Sequence, residues 1–311
     1  MRIFLPNEPL PTFRNAVITI GTFDGVHCGH QQIIRHLKKV AEKYQGETVL
    51  ITFEPHPRLL LGKQSFELLS PDTEKYQLLR HFGLDNVAVT AFTPQFSQQT
   101  PQAYVADFLV QNFAPRCIVI GYDHRFGQNR AGDFVLLEQL STQYGFDVAE
   151  IPKQLVDDMA VSSTKIRNAL HEGNVTSAQH LLGYWYPLYG TVVRGQQLGR
   201  KIGYPTANIA VSNPLKLVPA NGVYAVQVIH NNQPYGGMLN IGIRPTVNGT
   251  NRTTEVHIFD FDEDIYDQTL QVNFVERLRN EQKFAGLDAL IAQLKQDEIA
   301  ARRVIMNNEL M

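Results

Sequence analysis

Two imidazoles, His27 and His30, lie three residues apart in the stretch Gly21-Thr22-Phe23-Asp24-Gly25-Val26-His27-Cys28-Gly29-His30. Imidazole can donate, accept or carry positive charge, so the pair suits a ligand rich in anionic oxygen. The apolar run Ala16-Val17-Ile18-Thr19-Ile20 precedes the stretch, and the helix-like Gln31-Gln32-Ile33-Ile34-Arg35-His36-Leu37 follows it. A strand thus ends in glycines and histidines where a helix begins. Unpaired N–H groups and the dipole at a helix N-terminus favour anions, and glycine lets backbone approach a ligand without a Cβ in the way. With 10 His and 22 Gly in 311 residues, chance places an H-x-G-H about 0.02 times in such a chain. The segment therefore reads as a nucleotide phosphate site. Gly21, Phe23, Asp24 and Gly29 are candidate nucleotide-binding residues of its loop, and His27 and His30 address the phosphates. The competing reading is a surface turn with solvated histidines.

Val161-Ser162-Ser163-Thr164-Lys165-Ile166-Arg167 is a second group with phosphate chemistry, a hydroxyl cluster at a helix start followed by two cations. Ordinary Ser/Thr capping with solvated basic residues is its alternative. A third group, Gly195-Gln196-Gln197-Leu198-Gly199-Arg200-Lys201-Ile202-Gly203-Tyr204-Pro205-Thr206-Ala207-Asn208, sets three glycines around Arg200 and Lys201. It is neither a P-loop nor a kinase glycine-rich loop. Thr206 and Asn208 add hard oxygen donors suited to Mg²⁺, or else form a β-turn in which they bond their own backbone.

These groups need elements to hold them. Up to about residue 183 strand and helix patterns alternate: Thr48–Phe53, a helix opened by Ser70-Pro71-Asp72 through Arg80, Val87–Thr90, a helix from Thr100-Pro101 through Val110, the apolar Cys117–Gly121, a helix near Phe134–Tyr144 and a strand near Asp147–Ile151. Such alternation implies right-handed βαβ units on a parallel sheet, whose ligands sit beyond the carboxyl ends of the strands. The histidine loop, Glu54-Pro55-His56-Pro57 and Gly121-Tyr122-Asp123-His124-Arg125-Phe126-Gly127 all directly follow strands. From Tyr184 the rhythm changes to short strands, Tyr189–Val193, Val223–Ile229, Met238–Ile241, Glu255–Phe259 and Leu270–Phe274, with a hairpin connection at Asn231–Pro234. A helical pattern returns only from about Leu287 to Met306. This predicts a small closed barrel with a terminal helix, and hence two domains, 1–183 and 184–311.

Composition narrows the classes. Hydrophobic residues at 43% and charged residues at 19% predict a globular chain. A net charge of −2 without a Lys/Arg run gives no electrostatic footprint for nucleic acid. Cys28 and Cys117 lack CxxC spacing and metal-site companions, which suits reduced thiols in a cytoplasmic protein. Met1–Pro6 does not match a signal peptide, and no apolar run has the length of a membrane span.

The motifs G-T-F-D-G-V-H-C-G-H, F-E-P-H-P, G-Y-D-H-R-F-G and S-S-T-K-I-R, in this order, resemble the adenylyltransferase module of bacterial bifunctional riboflavin kinase/FAD synthetases. Gly195–Asn208, Gly222-Val223-Tyr224, Asn240-Ile241-Gly242 with Arg244-Pro245-Thr246, and Glu255-Val256-His257 resemble the riboflavin kinase domain. The resemblance covers Gly21 to about Lys283. It implies a Rossmann-like nucleotidyltransferase domain followed by a six-stranded barrel, with riboflavin converted to FMN on the barrel and FMN to FAD on the first domain. ATP and Mg²⁺ would serve both, with small-molecule substrates and neither nucleic acid nor membrane as partners. His27 and His30 would act on the triphosphate, with Ser163, Thr164 and Arg167 on its β- and γ-phosphates. Asp24 would orient the loop, and His56, Pro57 and Asp123 would contact ATP or flavin; His124, Arg125 and Phe126 read equally as loop structure. On the barrel, Gly199, Arg200 and Gly203 would bind nucleotide, Thr206 and Asn208 the metal, and Glu255 would be the general base, with Glu276 and Glu281 as alternatives. Many relatives carry a basic residue where Met159-Ala160 stand, which shifts phosphate binding toward Lys165 and Arg167. A binding protein without turnover, and a nucleotidyltransferase of other specificity with an unrelated barrel, are the competing readings.

Overall fold

A computed structural model describes residues 1–62, 66–151, 153–195, 197–246 and 249–309. The side chains of Met159, Ala160 and Ser162, and those of Arg244, Pro245 and Thr246, lie outside that description, as does Gln196. The chain divides into two compact units, Met1–Ser163 and Thr164–Met311.

In the first unit, strands β1 (Arg2–Phe4), β2 (Val17–Ile20), β3 (Thr48–Glu54), β4 (Asn86–Ala91), β5 (Cys117–Gly121) and β6 (Asp147–Ile151) form one sheet in the order β1-β4-β3-β2-β5-β6. All its pairs are parallel. Successive residues of a strand face opposite sides, and both sides are covered. Val17, Leu50, Val87 and Val119 pack with Ile33, Ile34 and Leu37 of α1 (Cys28–Lys43). Ile18, Val49, Ala88 and Ile118 pack with Tyr104, Val105 and Phe113 on the other face. The near-continuous apolar reading of β2 and β5 is the expected signature of strands buried on both sides.

Helices α2 (Pro57–Leu61), α3 (Asp72–His81), α4 (Pro94–Ser97), α5 (Pro101–Ala103), α6 (Gln111–Phe113), α7 (Phe134–Tyr144) and α8 (Lys153–His171) complete the connections. Thr100 caps α5 as its sequence predicts, accepting from Ala103 N at 3.2 Å, but the turns after it are a π-helix over Tyr104–Val110. Ser70 differs from the sequence reading. It is not the cap of α3, whose N-cap is Pro71 without a side-chain hydrogen bond, because its hydroxyl and N–H are engaged by Gly25 and Asp24. The hydroxyl cluster also differs: α8 runs through from Lys153, so Ser163 lies inside the helix and offers a side chain, not a helix N-terminus.

The second unit continues with α9 (Val175–Leu182) and then β7 (Tyr186–Val193), α10 (Leu198–Lys201), β8 (Ala207–Val211), β9 (Gly222–His230), β10 (Gln233–Thr246), β11 (Gly249–Ile258), β12 (Thr269–Arg279) and α11 (Leu287–Glu309). The strands close into a six-stranded antiparallel barrel in the order β10-β11-β8-β7-β12-β9. Left-handed Asn231 and Asn232, φ 49° and 63°, make the tight turn of the β9–β10 hairpin. Ala301 and Ile305 of α11 pack on Tyr204, Ala225, Met238 and Phe259. Among the described residues no helix is long and apolar enough to cross a membrane.

Candidate functional site

From β2 the chain runs to β3 and β4 on one side, and later to β5 and β6 on the other. The strand order therefore reverses between β2 and β5, where the loops leaving the two strands diverge and an open α/β sheet takes its ligand. The loop leaving β2 is left-handed at Phe23 (φ 49°), Gly25 (φ 81°) and Val26 (φ 35°). A β-branched residue there is an outlier, and each such residue costs about 1–3 kcal/mol unless its surroundings fix it. They do. Buried Asp24 accepts from Leu69 N at 3.1 Å and Ser70 N at 2.9 Å, and Ser70 Oγ accepts from Gly25 N at 2.7 Å. Gln31 Nε2 donates to Val26 O at 2.9 Å.

So held, the loop turns His27 and His30 against each other. His27 is the N-cap of α1 and its Nδ1 accepts from His30 N at 3.4 Å. Nε2 then carries the proton of the neutral ring and meets Ser163 Oγ at 2.9 Å. The two rings stack at 3.8 Å, 16° from coplanar, and Phe23 covers the other face of His30 at 4.5 Å. Burial, and then the neighbouring His27, hold the His30 pKa well below the ordinary imidazole value. His30 is thus neutral at pH 7, and its buried Nδ1 has no hydrogen-bond partner among the described residues. Gly21 ends the strand hydrogen-bonded to Ile51 O, and Gly29 lies in the first turn of α1.

Glu54, His56 and Pro57 stand at the end of β3. His56 caps α2, accepting from Arg58 N at 3.2 Å, and its ring lies 4.6 Å from Phe66; Pro57 is the first helical residue. Glu54, which motif reading passed over, has its pKa raised by burial and then by Asp72, whose carboxylate is paired to Lys75 at 2.9 Å. Its place inside F-E-P-H-P was the available signal. After β5, Asp123 is exposed in a turn closed by His124 N to Gly121 O at 3.0 Å. Phe126 belongs to the core, its ring 5.3 Å from that of Tyr104, while burial followed by Arg130 and Arg125 lowers the His124 pKa to about 4. Thr164 is exposed and Arg167 half-buried, one and four residues beyond Ser163 on α8.

In the barrel, α10 is a single turn whose Gly199 O accepts from Ile202 N and Tyr204 N, and Gly203 follows at φ 81°. A Cβ on Gly199 would fall 2.1 Å from Tyr204 O, so only glycine fits. The chain then enters β8, which pairs with β11 through Glu255 opposite Asn208 and Val256 opposite Ala207. Asn208 is therefore a strand residue, not part of a self-bonded turn. Opposed residues share a face of the sheet, so Asn208 and Glu255 sit together. Thr206 Oγ1 donates to Glu255 Oε2 at 3.4 Å.

Two cavities meet at Thr206. One, about 330 Å³, is lined by Arg200, Pro205, Ala207 and the acidic Asp262–Asp264 loop. The other, about 280 Å³, is lined by Glu255, His257, Asn240, Met238, Glu281 and Arg279. Thr206 lines both, whereas Glu255 lines only the second. Glu276 opens elsewhere, beside Glu172–Thr176. Two neutral oxygens and one adjacent carboxylate suit Mg²⁺, which keeps several waters and takes phosphate oxygens as further ligands.

Comparison with known proteins follows the two units. A family model described as FAD synthetase matches residues 10–165, and one described as riboflavin kinase matches residues 182–305. The chain is 38% identical to the bifunctional riboflavin kinase/FMN adenylyltransferase of Escherichia coli strain K12 over 92% of this chain and 91% of the relative. The Haemophilus influenzae protein of the same description is 37% identical over 93% and 94% of the two chains. A crystal structure described as a macrolide-efflux protein from Streptococcus pneumoniae superposes with TM-score 0.85 and 33% identity, covering 96% of this chain and 98% of that one.

Proposed function

The chain belongs to the bifunctional riboflavin kinase/FMN adenylyltransferase family, and from that premise we propose how its residues share the two reactions. The FAD synthetase domain is N-terminal and the riboflavin kinase domain C-terminal. We take their division as 1–183 and 184–311, a reading supported by the two family matches ending at 165 and starting at 182.

On the N-terminal domain the phosphate of FMN attacks the α-phosphorus of ATP and pyrophosphate leaves. That nucleophile is already anionic, so positioning and charge stabilisation dominate and no strong base is needed. The stacked pair supports this role. Neutral His30 and Nε2–H of His27 offer donors to the phosphates, and both stand where α1 begins, at the reversal of strand order. Ser163 joins them through His27, and Thr164 and Arg167 are assigned to the β- and γ-phosphates by the same motif. Gly21, Phe23, Asp24 and Gly29 are assigned to the nucleotide, with Asp24 orienting the loop, while His56, Pro57 and Asp123 are assigned to flavin or ATP.

The observation that carries the kinase assignment is the pair of cavities sharing Thr206. ATP fits the cavity bounded by Arg200; Gly199, which lines the second cavity, and Gly203 are assigned to the nucleotide with it by the loop they share. Riboflavin fits the cavity bounded by Glu255. The ribityl hydroxyl is a neutral alcohol and must lose its proton on attack, so a carboxylate at this boundary has a defined task. Thr206 and Asn208 would hold Mg²⁺, which supplies charge neutralisation to the transferring phosphate. A cytoplasmic location is the reading supported by Cys28 and Cys117, which form no disulfide.

Flavins separated after incubation with riboflavin, ATP and Mg²⁺ test this reading. The wild-type chain should accumulate FAD, His30→Ala should stop at FMN, and Glu255→Gln should form FAD only from supplied FMN. Equal losses of both steps in both variants would reject the two-site assignment.

A further inference from the structure

Glu255 and His257 are alternate residues of β11, and both line the 280 Å³ cavity. Glu255 meets Thr206, as described. His257 Nδ1 lies 2.7 Å from Pro205 O. Two side chains on one strand thus grip two consecutive residues of the segment entering β8.

The reason lies in the backbone. The β8–β11 ladder pairs Ala207 and Asn208 and stops. Pro205 lies beyond the last paired residue, and proline has no N–H with which to extend the ladder, so its carbonyl takes a donor from a side chain. Imidazole provides it. A carbonyl can only accept, so Nδ1 must carry the proton. The ring lies edge-on to Tyr204 at 5.2 Å and to Phe259 at 5.8 Å, which limits its rotation.

We infer that His257 is a positioning residue of the kinase reaction: its Nδ1–H replaces the missing ladder bond at Pro205 and thereby fixes the Thr206 hydroxyl between the two cavities. The inference rests on the reading of Thr206 as a residue for the cation and nucleotide phosphates. Nothing requires His257 to touch substrate. Its effect passes through one backbone carbonyl to the adjacent residue, and a misplacement of about 1 Å at a reacting centre can cost on the order of 100-fold in rate.

The test compares three variants of the full-length chain. In His257→Asn the amide nitrogen stands near the position of Nδ1; in His257→Gln it reaches the position of Nε2; His257→Ala has no donor. Riboflavin phosphorylation should fall by about 100-fold in His257→Ala, with a raised KM for MgATP and unchanged FAD formation from FMN. His257→Asn should recover most of the loss and His257→Gln should not. Equal activity of the Asn and Ala variants, or full activity of His257→Ala, would overturn the inference. Imidazole ¹⁵N spectra of the wild-type chain give an independent reading even if a variant misfolds. Protonated Nδ1 at His257 supports the bond to Pro205, and an Nε2–H tautomer overturns it. Failure of the Thr206 reading would look different: Thr206→Ala would leave the KM for MgATP unchanged.

Discussion

The rings of His27 and His30 face each other at 3.8 Å, 16° from coplanar. Two imidazolium ions would repel at that distance, so the stack requires at least one neutral ring; burial, and then the neighbouring His27, hold His30 in its neutral form. Packing and chemistry can therefore be separated. His30→Phe keeps an aromatic ring between Phe23 and His27 but removes both nitrogens. FAD formation from FMN should fall at least about 100-fold, while riboflavin phosphorylation and the melting temperature stay near wild type. Retained FAD formation would restrict His30 to packing.

Acid should destabilise the first unit through imidazoles that folding keeps neutral. The His124 pKa is lowered from 6.5 to about 4, so between those values the unfolded chain binds the proton that the folded one refuses. Stability is complete above about 6.5, falls as pH drops and levels below about 4. Differential scanning calorimetry should show the melting temperature dropping by roughly 5 °C over that range, with a shallower drop in His124→Phe. A pH-independent midpoint would refute this account.

The buried carboxylate of Asp24 accepts two backbone N–H groups from the segment before α3. Asp24→Asn turns one oxygen into a donor that faces those donors. The expected cost is about 1–3 kcal/mol, read as a loss of several degrees in melting temperature, together with weaker FAD formation. Kinase activity should not change.

Gly195 packs against the amide of Asn208: a Cβ there would lie 2.2 Å from Nδ2. The amide is the end of a side chain and can move, so Gly195→Ala should fold normally. It should raise the Mg²⁺ concentration needed for half-maximal phosphorylation and leave FAD formation from FMN unaffected. Gly199→Ala, whose Cβ meets the backbone oxygen of Tyr204 at 2.1 Å, should lose much more kinase activity.

What the sequence reveals here depends on burial symmetry and contact range. β5 and β6 lie where their residues predict, and β5, buried on both faces, reads as one apolar run. α7 spans the expected residues because Asp133 caps it and left-handed Gly145 stops it. β8 escapes because Ala207–Val211 is half-exposed, follows a proline and shows no alternation. β1 escapes because three residues on a sheet edge carry no period. The start of α8 is misjudged because hydroxyls suggest a cap, although nothing between Lys153 and Ser163 breaks a helix. Among site residues, the histidine loop is local and legible. The bond between Ser70 and Gly25 joins positions 45 apart, and that between His257 and Pro205 joins positions 52 apart; neither leaves a trace in spacing.

β10 and β11 are joined along ten residue pairs, whereas β11 and β8 are joined along two. The barrel is a cask with one short stave, and the residues assigned to cation and base flank that stave. Any ligand that bridges Thr206 and Asn208 to the neighbouring strand acts as a hoop. Amides of Ala207–Val211 should therefore exchange with deuterium faster than those of β9 and β10 in the empty protein, and slow the most when MgATP and flavin are supplied together.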